Sequence, residues 1–281
     1  MAPRVKLVVD STTDLPADWL ARWDIPVLTP FVNFGEESFP DDGVSLTRAE
    51  FYRRLASGKG LPSTSAPAPG LAQELYRRQL KSAEHVVAFS VASQFSSIYN
   101  TMRLAAEEVD PKRVTVVDSG QVSMALGWMV SAAAEAAERG AGLEEVIAAA
   151  LRTRDRVRLY AVIDTLEYLR RGGRVSTLVA SLGTLLQIKP IIEVNDGIVT
   201  TLQRARTMSR GLQSLIDLAH AQAPLERLAV LHTNYPDGAA ALRERLSDIA
   251  PENTILVDIT TAIGTHVGPN ALGVATVRKV S

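Results

Sequence analysis

Residues Lys6 to Pro16 read KLVVDSTTDLP, and this stretch decides the fold class. Its apolar run ends at Asp10, further polar residues follow, and Pro16 stands where a helix can begin. We interpret the pattern as a strand, a loop and a helix. The same order returns at Val86 to Ser90 and at Val114 to Ser119. Strands that alternate with helices predict a parallel sheet built from β-α-β units.

Polar side chains follow these strands, at the edge where ligands of parallel α/β sheets bind. Three of them, Asp10, Ser11 and Ser119, are candidate site residues, although each is also an ordinary helix N-cap residue. A helix beginning near Ser96 would present backbone N–H groups and the hydroxyls of Ser96 and Ser97 to an anionic group. Helix capping is the alternative role for both serines, and the two interpretations stay open.

A proline-rich segment, LPSTSAPAPG, occupies residues 61–70. Its three prolines exclude a regular helix and a central strand. The side chains of Ser63, Thr64 and Ser65 are therefore expected on a stiff loop that holds hydroxyl groups in place. A plain connector is the alternative interpretation.

A second polar stretch, TTAIGTHVGPNALG, runs from Thr260 to Gly273 and contains His266 at its centre. The glycines allow the backbone to approach a ligand or another segment closely, and Pro269 indicates a turn. We expect a tight loop with a polar tip, in which Gly264, Thr265 and His266 are candidate ligand contacts. A hydrogen-bonded loop histidine is the alternative.

The chain of 281 residues exceeds the usual size of one domain, so we expect two α/β domains, residues 1–156 and residues 157–281. In the second domain, Ile188 to Val194 and Ile198 to Ala205 are predicted to form a hairpin, because Asn195-Asp196-Gly197 favours a tight turn. The second sheet is therefore mixed or antiparallel, whereas the first is mostly parallel.

Composition excludes several kinds of site. Cysteine is absent, which excludes disulfides, thiolate catalysis and cysteine-ligated metal centres. The four histidines show no HExxH spacing and no adjacent acidic cluster, so we expect no metal site. With 30 basic and 31 acidic residues and a net charge of −1, the chain offers no overall field for nucleic acid.

Membrane and export signals are also missing from the sequence. The longest apolar runs are shorter than the roughly 18 to 20 residues that a membrane-spanning helix needs. The amino terminus enters a strand pattern at once, without an apolar secretory segment. We therefore expect a cytoplasmic protein without an integral membrane segment.

No GxSxG, GxxxxGK[ST] or GxGxxG motif is present in the expected context. A hydrolase built from Ser96, His266 and an aspartate is conceivable, but no spacing singles out such a triad. Hydroxyls, an imidazole and a guanidinium from Arg204 or Arg206 can satisfy a carboxylate, whereas chemistry on it would need a nucleophile or metal. Binding fits these residues better than turnover.

The densest positive patch is Arg170, Arg171 and Arg174, around the glycine pair Gly172-Gly173 that is predicted to end a helix. Cations at a helix C-terminus are ordinary partners of the helix dipole, and docking of an acidic or phosphate-bearing partner is the alternative. A further helix is predicted at Ser176 to Leu186.

Seven motifs in order resemble the DegV family of bacterial fatty-acid-binding proteins along essentially the whole chain. They are VDSTTDLP at Val9 to Pro16, STSAPAPG at Ser63 to Gly70, SSIY at Ser96 to Tyr99, VDS at Val117 to Ser119, TLEYLRRGGR at Thr165 to Arg174, IKPII at Ile188 to Ile192 and GTHVGPNALGVA at Gly264 to Ala275.

This resemblance implies two α/β domains, with a long-chain fatty acid such as palmitate in an apolar tunnel between and within them and no cofactor. By position, Thr64, Ser96 and His266 resemble the residues that bind the carboxylate, and Arg206 a basic residue that closes the site. The chain departs from the family pattern at Ser97-Ile98, where a glycine and a threonine are common, and at Ala68, where a serine is common.

The resemblance also implies a carrier that is not catalytic by itself. Such a carrier presents the carboxylate to a separate ATP-dependent fatty acid kinase. Transient contact of the carrier with a membrane is compatible with this role. The arginine patch is then a candidate docking surface for the kinase. A small-molecule phosphotransferase component that uses His266 is the second hypothesis, and a hydrolase is the third. The preferred acyl chain and the oligomeric state are not predicted.

Overall fold

The computed structural model of the protein describes residues 4–58, 60–174 and 188–280. Its strands are β1 (Val5–Asp10), β2 (Val27–Leu28), β3 (Phe31–Phe34), β4 (Glu37–Pro40), β5 (Ser63–Ser65), β6 (His85–Ser90), β7 (Val114–Asp118), β8 (Val157–Val162), β9 (Lys189–Asn195), β10 (Ile198–Ala205), β11 (Leu225–His232), β12 (Ile255–Asp258) and β13 (Leu272–Arg278). Its helices are α1 (Ala17–Arg22), α2 (Arg48–Ala56), α3 (Pro69–Gln79), α4 (Ile98–Val109), α5 (Ser123–Glu138), α6 (Leu143–Arg156), α7 (Glu167–Arg171), α8 (Met208–His220), α9 (Pro236–Arg245) and α10 (Thr261–Val267), with a 3-10 turn at Ser11–Thr13.

The chain divides into two compact units, and each unit consists of two segments that are separate in sequence. The first comprises residues 1–31 and 65–155, and the second comprises residues 32–64 and 156–281. Residues 32–64 therefore group with the C-terminal part of the chain. From the sequence we expected them in the first domain, residues 1–156. The physical reason is apolar contact, because Phe51 and Tyr52 of α2 pack with Ala262 of α10 in one cluster.

The first unit contains the parallel sheet that the strand-loop-helix pattern predicts. Its order is β2-β1-β6-β7, and every neighbouring pair is parallel. Helices α3 and α4 cover one face, where Tyr76 and Met102 pack against Val8, Val86 and Ala88. The carboxyl ends of β1 and β6 thus lie side by side.

Helix α5 packs against β1 and β6 and is buried on most of its surface. Its residues are mainly alanine, methionine and small polar side chains around the fully buried Trp128. A helix that is apolar all round is stable only inside a protein. Because side chains alternate along a strand, Val9 and Val87 face away from the α3 and α4 cluster.

The second unit contains a six-stranded mixed sheet in the order β10-β9-β8-β13-β11-β12. Only β11 and β12 are parallel; the other pairs are antiparallel. The predicted hairpin is confirmed by the pairing of β9 with β10. Its turn has positive φ at Asp196 and Gly197, the geometry that Asn-Asp-Gly sequences favour. Strands β4, β3 and β5 form a separate three-stranded sheet.

One face of the six-stranded sheet is covered by α8 and α9, whose Leu215, Ala219 and Leu242 are fully buried against Val230 and Val274. Among the described residues of the unit, side chains of α2, α7 and α10 join side chains of β3 and β4 in a smaller apolar cluster. This smaller cluster positions the candidate site described below.

Two local expectations differ from the structure or fall outside it. The stretch from Thr260 to Gly273 does not form the expected loop, because residues 261–267 are the helix α10 and the turn begins only at Gly268. Ser63 to Ser65 form a short edge strand rather than a loop. The helix predicted at Ser176 to Leu186 lies outside the described residues.

Candidate functional site

The candidate site is built around a hydrogen bond between Thr64 and His266, which are 202 residues apart in sequence. The distance between Thr64 Oγ1 and His266 Nε2 is 3.0 Å. Thr64 lies on β5 and His266 in the last turn of α10, both in the second unit. Both residues are half-buried. Two of the residues that sequence analysis chose from separate motifs are therefore in direct contact.

Two side chains from residues 32–64 anchor the start of α10. The buried carboxylate of Asp41 accepts hydrogen bonds from Thr261 Oγ1 at 2.6 Å and from the Ala262 N–H at 3.1 Å. A carboxylate at this position satisfies an unpaired helix donor and complements the helix dipole. Arg48 Nε donates to the carbonyl of Ile259 at 3.1 Å. Both anchors belong to the segment that leads into β5, so they constrain the distance between the threonine and the histidine.

Two glycines bring α10 close to its neighbours. A Cβ on Gly264 would lie 2.7 Å from the hydroxyl oxygen of Tyr52 on α2. Gly268 has a φ of +77°, and a Cβ there would lie 2.2 Å from the ring of Tyr168 on α7. Since real Cβ atoms do not approach other atoms so closely, side chains at either position would push α10 away from α2 or α7. These contacts are the close approach that the glycines of this stretch predict.

The His266 imidazole is held in its neutral form. Burial lowers the pKa of His266 to about 4, and the positive charge of Arg174 acts in the same direction. The Nδ1 atom is buried, and among the described residues it has no hydrogen-bond partner. At neutral pH the pair therefore presents a hydroxyl and an uncharged imidazole.

The pair is arranged for hydrogen bonding rather than for nucleophilic attack. In a catalytic triad a carboxylate orients the histidine through the nitrogen that does not face the nucleophile. In the described part of the chain no carboxylate takes that place, because Nε2 meets Thr64 and Nδ1 is unpartnered. Among the described residues, the pair therefore lacks the carboxylate that orients the histidine of a catalytic triad.

Ser96 lies in the first unit, in the loop that precedes α4. The helix begins at Ile98, two residues later than Ser96, and Ser96 Oγ accepts a hydrogen bond from the Ile98 N–H at 3.3 Å. Ser96 is half-buried and Ser97 is exposed. The hydroxyl hydrogen of Ser96 is not used by this bond, so Ser96 keeps the capacity to donate to a ligand.

The buried polar residues after β1 and β7 have structural partners. Asp10 accepts hydrogen bonds from the Thr12 N–H at 2.8 Å and from the Val91 N–H at 2.7 Å, which joins the loops after β1 and β6. Ser119 Oγ accepts from the Gln121 N–H at 3.0 Å. The capping interpretation of Asp10 is confirmed, because its carboxylate caps the 3-10 turn that contains Ser11.

The other candidates occupy varied positions. Ser63 and Ser65 are exposed on β5, on either side of Thr64. The Thr265 hydroxyl is buried and donates to the Thr261 carbonyl at 2.9 Å within α10. Arg206 is exposed directly after β10.

The arginine patch at the end of α7 contains two solvent-exposed side chains and one half-buried side chain whose charge acts on His266. Arg170 and Arg171 are exposed, and Arg171 pairs with Glu167 at 2.5 Å. Arg174 is half-buried, and its Nη1 donates to the carbonyl of Gly172 at 2.6 Å. The expected docking residues therefore include one, Arg174, whose charge acts directly on His266.

Sequence reasoning missed Asp41 and Gly172. Asp41 lies 220 residues before Thr261, and nothing in its local sequence marks it as a helix cap. Gly172 was assigned only the role of ending a helix. A Cβ on Gly172 would lie 2.2 Å from His266 Nδ1, a contact that has no local signal.

Residues 4–58, 60–174 and 188–280 contain neither a metal-binding cluster nor a helix that could cross a bilayer. No group of three or more histidine, aspartate or glutamate side chains there could hold a metal ion. None of the helices in these ranges combines the length and apolar character that crossing a bilayer requires.

Comparison with known proteins gives a consistent result. A family model described as "Uncharacterised protein, DegV family" matches residues 4–279. A DegV domain-containing protein of Streptomyces coelicolor is 34% identical, with 98% of each chain covered. One from Deinococcus radiodurans is 33% identical, with 96% of this chain and 97% of that protein covered.

Two solved structures are also similar. A DegV family protein from Thermus thermophilus, described for its fatty acid binding, superposes with a TM-score of 0.91 at 32% identity, covering 98% of this chain and 100% of that one. DegV of Bacillus subtilis, described as a fatty acid binding protein, has a TM-score of 0.87 at 29% identity, covering 98% and 99%.

Proposed function

Because the chain belongs to the DegV family, we propose that it binds a long-chain fatty acid and holds the carboxylate at Thr64 and His266. Two similar solved structures are described as fatty acid binding, which supports this ligand class. Arg206, which lies in the same unit as Thr64 and His266, is proposed as a further donor to this carboxylate. We also propose that the protein binds its ligand in the cytoplasm.

The observation that carries the proposal is the half-buried hydrogen bond between Thr64 and His266. A carboxylate removed from water must meet hydrogen-bond donors, since an unpaired one costs several kcal/mol. A threonine hydroxyl that is hydrogen-bonded to a neutral imidazole supplies one such donor without adding a fixed charge. The acyl chain supplies the affinity, because burying about 14 methylenes at roughly 0.8 kcal/mol each yields on the order of 11 kcal/mol before the costs of association.

We further propose that the protein presents the bound carboxylate to a separate ATP-dependent fatty acid kinase and does no chemistry alone. The unpartnered Nδ1 of His266 supports a binding role over an activated nucleophile. The exposed side chains of Arg170 and Arg171 are the proposed docking surface for the kinase.

Substitution of the pair tests the site. Thr64→Val and His266→Ala should each weaken fatty acid affinity about 10- to 100-fold, because a hydrogen bond to a charged group contributes roughly 1.5–3 kcal/mol. Fluorescence displacement of a labelled fatty acid measures this affinity. The controls are Thr200→Val, an exposed residue of β10, and His220→Ala at the exposed end of α8. Wild-type affinity in both site variants, with both controls normal, would remove Thr64 and His266 from the head-group site.

Charge reversal tests the docking surface. The double variant Arg170→Glu with Arg171→Glu should lower the rate of acyl phosphate formation by a fatty acid kinase at least 10-fold, while fatty acid affinity is unchanged. Arg77→Glu with Arg78→Glu, two exposed residues of α3, is the matched control. Equal rates for the two double variants would assign docking to another surface.

A further inference from the structure

The glycine pair at the end of α7 contains two glycines that are required for different reasons. Gly173 has a φ of +71°, and a Cβ there would meet no atom within 4 Å, so its backbone conformation accounts for it. Gly172 has φ −74° and ψ −4°, a conformation that any residue adopts. Backbone strain therefore does not explain the glycine at position 172.

The reason for Gly172 is its contact with His266. A Cβ on Gly172 would lie 2.2 Å from Nδ1 and 3.0 Å from Cε1 of the imidazole. Cγ, the other neighbour of Nδ1 in the ring, is no nearer than 3.2 Å, so the added Cβ would lie outward from the ring at Nδ1, where this atom carries either its lone pair or a proton. In glycine a hydrogen atom takes the direction of the missing Cβ. A proton on Nδ1 would occupy the same space as that hydrogen, whereas a lone pair would accept it as a weak C–H hydrogen bond.

The peptide at Gly172 is fixed from both sides. Its N–H donates to the Tyr168 carbonyl at 2.9 Å, and its carbonyl accepts from Arg174 Nη1 at 2.6 Å. Tyr168 in turn packs against Gly268, which ends α10. The glycine therefore cannot withdraw from the imidazole without breaking these contacts.

We infer that Gly172 is a positioning residue that holds His266 in the tautomer protonated at Nε2, so that His266 donates to Thr64 and the Thr64 hydroxyl donates to the ligand. This inference rests on the proposed fatty acid site and assigns direction to its hydrogen bonds. With Nε2–H donating to Thr64 Oγ1, the hydroxyl hydrogen of Thr64 is directed to a carboxylate oxygen. His266 then acts on the ligand through Thr64.

Nitrogen NMR of histidine-labelled, delipidated protein at pH 7 tests the tautomer without any ligand. Long-range ¹H–¹⁵N correlation should show His266 with an unprotonated Nδ1 and a protonated Nε2. In Gly172→Ala the added Cβ should displace the ring and give a mixture of tautomers. A wild-type His266 protonated at Nδ1 would overturn the inference, even if the variant failed to fold.

A double-mutant cycle tests whether Gly172 acts through the imidazole. Gly172→Ala should weaken fatty acid affinity at least 10-fold in the wild-type background and less than 2-fold in the His266→Ala background, where no ring remains to displace. Gly142→Ala is the control, because its nearest non-neighbouring atom is Arg4 Nη1 at 3.8 Å. An equal loss in both backgrounds, or no loss in either, would contradict a positioning role. If even the wild type bound no fatty acid, the proposed function would fail while the NMR result still decided the tautomer.

Discussion

At the scale of single residues, the protein keeps a histidine uncharged beside a hydroxyl. His266 and Thr64 form a hydrogen-bonded pair, and the imidazole is neutral because of burial and the nearby charge of Arg174. A neutral pair holds an anion by hydrogen bonds and allows it to leave without separating a buried ion pair. This property suits the carrier role that we propose.

The lowered pKa of His266 predicts how stability depends on pH. The folded protein binds this proton only near pH 4, whereas an unfolded histidine binds it near pH 6.5, so acid favours the unfolded state. The free energy of unfolding should therefore fall by about 3 kcal/mol from this group as the pH decreases from 6.5 to 4. Urea unfolding at several pH values measures the slope, and His266→Ala should flatten it. An identical slope in the variant would mean that His266 titrates normally.

How far sequence predicted the site depends on where each partner lies. Thr64 and His266 stand in recognisable polar motifs, and their direct contact agrees with their selection as candidates. Asp41 and Gly172 were missed because their partners, Thr261 and His266, lie far along the chain. Such pairs come together only in the folded chain, so a local sequence pattern does not predict them.

At the scale of elements, α10 shows tertiary contacts overriding local sequence. Three glycines and a proline favour a loop between Thr260 and Gly273, yet residues 261–267 are helical. The helix is supported by a carboxylate from outside it and by the fit of Gly264 against Tyr52. In contrast, the hairpin of β9 and β10 was predictable because its turn residues are consecutive.

The external cap of α10 can be tested against its neighbour in sequence. Asp41→Ala should lower the free energy of unfolding by about 1–3 kcal/mol, because it leaves buried donors of Thr261 and Ala262 unpaired. Asp42→Ala is the control, since Asp42 is exposed and accepts its hydrogen bonds, among the described residues, from Val44 and Ser45. Urea denaturation of both variants gives the comparison. Equal losses would show that Asp41 does not support α10.

At the scale of the whole molecule, the sequence predicted a mostly parallel sheet and a mixed or antiparallel sheet. It did not predict which segments build each unit. The alternating strand and helix pattern indicated the parallel sheet, and the hairpin indicated the mixed one. Residues 32–64 group with the C-terminal part of the chain because α2 buries its aromatic face against α10. That association depends on contacts between segments that are distant in sequence, so local composition does not predict it.

The measurement that tests the central proposal most directly is native mass spectrometry of freshly purified protein, followed by denaturing extraction and mass analysis of what is released. It requires no assumption about the ligand. A co-purifying species with the mass of a long-chain fatty acid, displaced by added palmitate and depleted in Thr64→Val, is the predicted result. A ligand-free mass that stays unchanged when fatty acids are offered would contradict fatty acid binding by this chain.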